Sequence, residues 1–299
     1  MFWTRLMSSV VLVIAALVLL LSGDLVLLLG TLLLSLAGFH ELTAACGVAS
    51  WKKAESVENG KETVPDAGES RRKGGGGTPN GLMLVGYAGI FLYDALLYLS
   101  GEAIYQTGIL AAVFLGMMAV YVLTFPRFSS GQVMNAFFCF FYAPVLFSFV
   151  FLTRSLPGGI YLVWLIFISS WICDTFAYLT GMAFGKHKLT PVLSPKKSVE
   201  GAVGGVAGSA LVGALFGRIF LERVIPDPDI IWITALLSGA GAVVSQIGDL
   251  AASGIKRNHG IKDYGKLIPG HGGIMDRFDS VLFTAPIIYY LAILLIRFE

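Results

Sequence analysis

The chain has 299 residues, of which 56% are hydrophobic and 13% charged, with a formal net charge of +2 and a mean hydropathy of +0.78. A soluble domain carries roughly a quarter charged residues and cannot hide this much apolar surface, so a cytosolic enzyme, a nucleic-acid binder and a disordered scaffold are excluded. What remains is an all-α, polytopic integral membrane protein.

Nine apolar runs of about membrane-spanning length follow one another, at 7–21, 25–39, 81–99, 104–125, 134–153, 160–184, 202–221, 230–251 and 278–296. The first two are short and are separated only by Ser22, Gly23 and Asp24, which predicts a tight hairpin or two thin, tilted spans. Arg5 ahead of the first run also fits a secretory signal, but no small-x-small cleavage site follows it. This N-terminal hairpin occupies 1–49. The next segment, 50–80, mixes charges of both signs and ends in Lys73, four glycines, Thr78, Pro79 and Asn80. It is too polar and Gly-rich to build a core and reads as a flexible cytoplasmic linker. Residues 81–169 form a middle group of spans, and 170–299 a C-terminal region with cytoplasmic loops.

With the N-terminus in the cytoplasm, only Arg154, Arg218, Arg223 and Arg297 of the 21 basic residues fall outside. The positive-inside rule therefore predicts a cytoplasmic N-terminus and an outside C-terminus. Cys46, Cys139 and Cys173 show no paired spacing and read as small buried hydrophobes, with no disulfide or zinc site. The seventh span is rich in glycine around Gly201, Gly204, Gly205 and Gly208, a pattern for close helix packing.

Carboxylates inside a bilayer are costly unless paired or solvated. Asp94 suits a structural role, and Asp174, in mid-span, suits either function or pairing. Asp249 closes the eighth span with Ser245 one turn away on the same face, and reads as functional. A dense polar stretch follows over 253–279. Its Pro269-Gly270-His271-Gly272-Gly273 run breaks regular structure, and a helix is predicted to restart near Ile274, with Asp276 and Asp279 on one face. Asp249, Asp276 and Asp279 make an oxygen-donor set of the kind magnesium takes. His271 reads either as a loop hydrogen-bonding residue or as a phosphate contact or proton handler. His40, His187 and His259 read as structural or solvated, and Glu41, beside His40, has no assigned role.

Cationic loops face these acids. One carries Lys186, Lys188, Lys196 and Lys197; the other carries Lys256, Arg257, Lys262, Lys266 and Arg277. A basic loop beside a membrane is ordinarily a topogenic or headgroup-binding patch. Yet at an effective dielectric near 20 a like-charge contact at about 4 Å costs about 4 kcal/mol, so carboxylates and phosphates share a site only through a divalent ion. Cations and metal-binding acids together at a membrane surface suggest phosphoryl or nucleotidyl transfer on a lipid.

The stretch Ser253-x-Ile255-Lys256-Arg257, Lys262-Asp263, His271-Gly272-Gly273 and Asp276-Arg277-x-Asp279 resembles the signature of phosphatidate cytidylyltransferases, or CDP-diacylglycerol synthases. Ser194-Pro195-Lys196-Lys197-Ser198 with Glu200-Gly201, and Gln246-Ile247-Gly248-Asp249, resemble further elements of that family; the linker at 50–80 departs from it. The resemblance implies that CTP reacts with phosphatidate to give CDP-diacylglycerol and pyrophosphate, with Mg2+ and a second monovalent or divalent cation. It implies catalytic roles for Asp249, Asp276, Asp279, Lys256, Arg257 and His271, with Asp249, Asp276 and Asp279 on the metal. Substrate contacts fall to Ser194, Lys196, Lys197, Lys262, Arg277, Ser253 and Asp174. It also implies a homodimer in the cell inner (plasma) membrane, multi-pass, with the active site on the cytoplasmic side and no nucleic-acid partner. Two rivals are a CTP-dependent lipid-alcohol kinase of the dolichol or phytol type, and an ion-coupled transporter using Asp94, Asp174 and Asp249.

Overall fold

The computed structural model describes residues 2–48, 79–100, 103–268, 270 and 272–298. The linker expected at 50–80, apart from Pro79 and Asn80, and the candidate His271 lie outside the described residues. The chain is an all-helical polytopic membrane protein. Its helices are α1 (Phe2–Ser22), α2 (Asp24–Ala45), α3 (Gly81–Leu99), α4 (Ala103–Leu123), α5 (Ser130–Ser155), α6 (Gly159–Phe184), α7 (Val199–Leu221), α8 (Ile230–Asn258) and α9 (Met275–Leu295). Among the described residues, α2 to α9 are each long and apolar enough to cross a bilayer, and α1 contributes a shorter apolar stretch, Val13–Ser22.

Local chemistry explains most boundaries. Asn80 caps α3 by accepting from Met83 N at 3.0 Å, and its amide donates to Val48 O at 2.7 Å, so it belongs to the helix start rather than to a linker. Ser129 and Gln132 form a reciprocal capping box at the start of α5. Ser198 caps α7 by accepting from Gly201 N at 3.1 Å. Single π-turns interrupt α5 at Phe141–Val145, which contains Pro144, α6 at Ile168–Ile172 and α7 at Gly217–Leu221.

Three expectations need adjustment. Helices α1 and α2 have 21 and 22 residues and are separated by Gly23 alone, at φ 64°, with Asp24 opening α2 at φ 40°; α2 is long and apolar enough to cross a bilayer, whereas α1 contributes only Val13–Ser22 among the described residues. Helix α8 runs about two turns past Ala251. Ser253, Lys256 and Arg257 are therefore helical, and the last two sit where cations favour the negative end of the helix dipole. The basic loop is an antiparallel hairpin of β1 (Lys188–Thr190) and β2 (Ser194–Ser198), with Lys188 opposite Ser198 and Thr190 opposite Ser194.

The chain divides into two compact units. One comprises Leu42–Phe141 and the other Met1–Glu41 with Tyr142–Glu299. In the first, α3 and α4 pack closely: a Cβ on Gly89 would run into Val113 and Phe140. The end of α2 is tied down by Asn135, which donates to Cys46 O at 3.0 Å. Asp94 is buried there, and its Oδ2 has no hydrogen-bond partner among the described residues.

In the second unit, α7 lies between α6 and α8. A Cβ on Gly205 would come within 2.9 Å of Cys173 O, and one on Gly213 within 2.8 Å of Thr234 O, so the glycines of α7 serve close backbone packing. Helices α8 and α9 approach at Gly248, whose added Cβ would lie 2.9 Å from Asp279 O and from Phe283 Cβ. That approach sets Asp249 on α8 beside the first turns of α9.

Candidate active site

A cavity of about 530 Å³ opens where α6, α8 and α9 meet, lined by Asp174, Asp249, Lys256, Asp276, Arg277 and Asp279, with Asp263 from the intervening loop. A second cavity, about 350 Å³, also takes in Asp174 and is lined by Lys196, Lys197 and Ser198 of the hairpin and by Gln246 of α8. The ammonium of Lys197 forms an ion pair with the carboxylate of Asp249. This bridge joins the hairpin to α8, and Asp174 lines both cavities.

Asp276 has a different environment. Its Oδ1 accepts from Lys256 Nζ at 3.0 Å, and its Oδ2 accepts from Tyr264 N at 2.8 Å and Gly273 N at 3.0 Å. A carboxylate offers about four acceptor positions, so most of Asp276 is already spent on the loop and on Lys256. Tyr264 completes the arrangement: its hydroxyl donates to Ala252 O at 3.0 Å, and Lys256 Nζ lies 5.3 Å from its ring centroid. Asp279 is buried, and its Oδ1 accepts from Ser280 N at 2.8 Å.

The structure thus brings together Asp174, Asp249, Asp276, Asp279, Lys197, Lys256 and Arg277, with Lys196 on the second cavity. Ser194 lies in β2, Ser253 and Arg257 on the last turns of α8, and Lys262 in the loop after it. Among the described residues, none of these four makes a side-chain ion pair or hydrogen bond to the cluster. Sequence reasoning missed Asp263 as a lining residue, although it stands in the Lys262-Asp263 element. It also left Glu41 without a role; the only signal was a carboxylate near the end of an apolar helix.

Asp174, Asp249 and Asp279 are close enough to interact electrostatically, and all offer hard oxygen donors. No group of three acidic, histidine or cysteine side chains converges on one point among the described residues; Asp249 instead faces a lysine. A cation bound here would have to compete with Lys197 for that carboxylate.

Residues 76–295 match the family described as the cytidylyltransferase family. The phosphatidate cytidylyltransferase of Staphylococcus haemolyticus is 34% identical over 232 residues, 72% of this chain and 82% of that protein. That of Staphylococcus saprophyticus is 36% identical over 188 residues, 59% of this chain and 65% of the relative. That of Staphylococcus aureus strain COL is 37% identical over 183 residues, 58% of this chain and 64% of the relative. The chain therefore spans slightly less than two thirds of the latter two proteins and more than that of the first.

Proposed function

We propose that this chain, which belongs to the cytidylyltransferase family, transfers CMP from CTP to phosphatidate, yielding CDP-diacylglycerol and pyrophosphate. The observation that carries the reading is a cavity in which Asp174, Asp249 and Asp279 share walls with Lys256 and Arg277. Cations there suit phosphates, and acids suit the metal that accompanies them. A phosphate oxygen of phosphatidate forms a bond to the α-phosphorus of CTP, the bond from that phosphorus to the β-phosphate oxygen breaks, and pyrophosphate leaves with the electron pair. The attacking oxygen is already ionised, so no strong base is needed.

Asp249 and Asp279 are the proposed Mg2+ ligands, with Asp276 at the edge of the set. Bound there, Mg2+ would supply the positive charge that lets phosphates approach carboxylates. Lys197, Lys256 and Arg277 offset the charge of the two substrates and of the leaving group. Lys196, Ser198 and Gln246 line the second cavity and are placed to hold the remainder of one substrate. A second cation and a homodimer belong to the same reading. The concentration of lysine and arginine in the segments beside the acids supports a cytoplasmic active site in the inner membrane.

Incubating the purified chain with phosphatidate and CTP labelled at the α-phosphate tests the reading. Label appearing in a chloroform-soluble product is the expected result. Label released only as CDP would point instead to a lipid-alcohol kinase, and electrogenic flux without product to a transporter.

A further inference from the structure

We propose that Glu41 is a positioning residue for this reaction, gripping the first turn of α9 and thereby setting Asp276, Arg277 and Asp279 in the cavity. The inference rests on the cytidylyltransferase reading and deepens it.

Helix α9 starts without a local cap. Ile274 is already helical, with φ −61° and ψ −47°, no side chain caps the turn from the preceding residue, and Gly273 has none to offer. The first N–H groups of a helix have no partner within it and must find one elsewhere, or stay desolvated at a cost. Here the partner comes from α2, 233 positions earlier in the chain. Glu41 Oε1 accepts from Ile274 N at 3.0 Å, and Oε2 accepts from Met275 N at 2.9 Å. The preceding N–H, that of Gly273, goes to Asp276 Oδ2 at 3.0 Å. Three successive amides thus end on two carboxylates.

The fit around Glu41 is close. It is 8% exposed, and a Cβ on either Gly265 or Gly273 would collide with its carboxylate. The loop is folded round the acid rather than merely near it. Negative charge also suits the positive end of the α9 dipole, and hydrogen bonds to an ionised acceptor are the stronger kind. Glu41 contributes through the backbone of α9: it fixes where the helix begins, and so where the acids at 276 and 279 sit relative to Asp249.

The test uses the full chain in detergent. In Glu41→Ala the amides of Ile274 and Met275 should exchange with deuterium at least about tenfold faster, since a terminal turn that has lost its acceptors opens more readily, while those in the middle of α8 are unchanged. Turnover should fall by about 10- to 100-fold, the scale of small misplacements at a reacting centre. The KM for CTP should change by less than turnover does, because Lys196 and Lys197 of the hairpin are not carried by α9, whereas Arg277 is.

Glu41→Gln keeps one acceptor oxygen and should fall between the two; it carries the same test should the alanine variant not accumulate. Gly273→Asp should inactivate by collision with Glu41. Combined with Glu41→Ala, it should recover turnover, because a local cap then fills the space left behind. Wild-type exchange at Ile274 and Met275 in Glu41→Ala, or turnover within about twofold of wild type, would overturn the proposal. The exchange measurement decides whether Glu41 holds α9 even if the wild-type chain proves unable to use phosphatidate, so the two readings fail separately.

Discussion

Lys197 and Asp249 form an ion pair between the hairpin strand β2 and helix α8, with the lysine on one cavity and the aspartate on the other. Their side chains are 26% and 31% exposed, so the pair is partly solvated and worth about 1 kcal/mol at most. A cation that takes Asp249 must displace this lysine. Lys197→Ala should therefore bind Mn2+, measured by paramagnetic resonance without nucleotide, about fivefold more tightly, the equivalent of that energy. Turnover should nevertheless drop, because a phosphate loses its counter-charge. Unchanged or weaker Mn2+ binding would show that Asp249 is not a metal ligand.

Asp249 and Asp276 should respond differently to the same chemical change. Asp249→Asn removes a carboxylate at the cavity wall and should abolish transfer while leaving thermal unfolding within a few degrees of wild type. Asp276→Asn strips a half-buried lysine of its partner; the side chains of Lys256 and Asp276 are 16% and 3% exposed. Breaking such a pair from one side costs about 3 kcal/mol, so this variant should lose both activity and stability. Equal melting temperatures for the two would mean that Asp276 is not the anchor of Tyr264 and Gly273.

Gly248 should tolerate no side chain. An alanine there would press on Asp279 O and on Phe283 at 2.9 Å, whereas the nearest atom to a Cβ at Gly239 on the same helix is Ala210 Cβ at 3.5 Å. Overpacking at this helix crossing costs about 1–3 kcal/mol. Gly248→Ala should lower both stability and turnover, and Gly239→Ala neither; comparable melting curves and rates for the pair would count against the tight α8–α9 approach.

Chelation addresses the metal directly. Treatment with excess EDTA should stop label transfer from CTP to lipid, and added Mg2+ should restore it. Full activity after exhaustive chelation would remove the cation from the proposed chemistry.

Much of this architecture is legible in the residues themselves. The 81–99 run is helix α3 over the same residues, because a span announces itself by continuous apolarity; that Asn80 caps it rather than ending the linker is seen only in the structure. Hydropathy does not mark the end of helix α8: beyond Ala251 the residues turn polar while the helix continues to Asn258. Hydropathy stops where the bilayer does, and backbone hydrogen bonding need not. The hairpin of β1 and β2 gave no alternating pattern, since Lys188-Leu189-Thr190 and Ser194-Pro195-Lys196-Lys197-Ser198 bury no common face.

The amino-acid sequence by itself determined the membrane class, the number of apolar runs, and the types of residue gathered for the chemistry, because these depend on composition and on neighbours a few positions apart. Only the tertiary structure decided which group answers which. Lys197 meets Asp249, Lys256 meets Asp276, and Glu41 meets the amides of Ile274 and Met275. Those pairings join residues 20 to 234 positions apart. They exist because helices α8 and α9 close over Gly248 and the loop before α9 folds against Glu41 at Gly273, and a charge brought into such a place must find its partner there or not be buried at all.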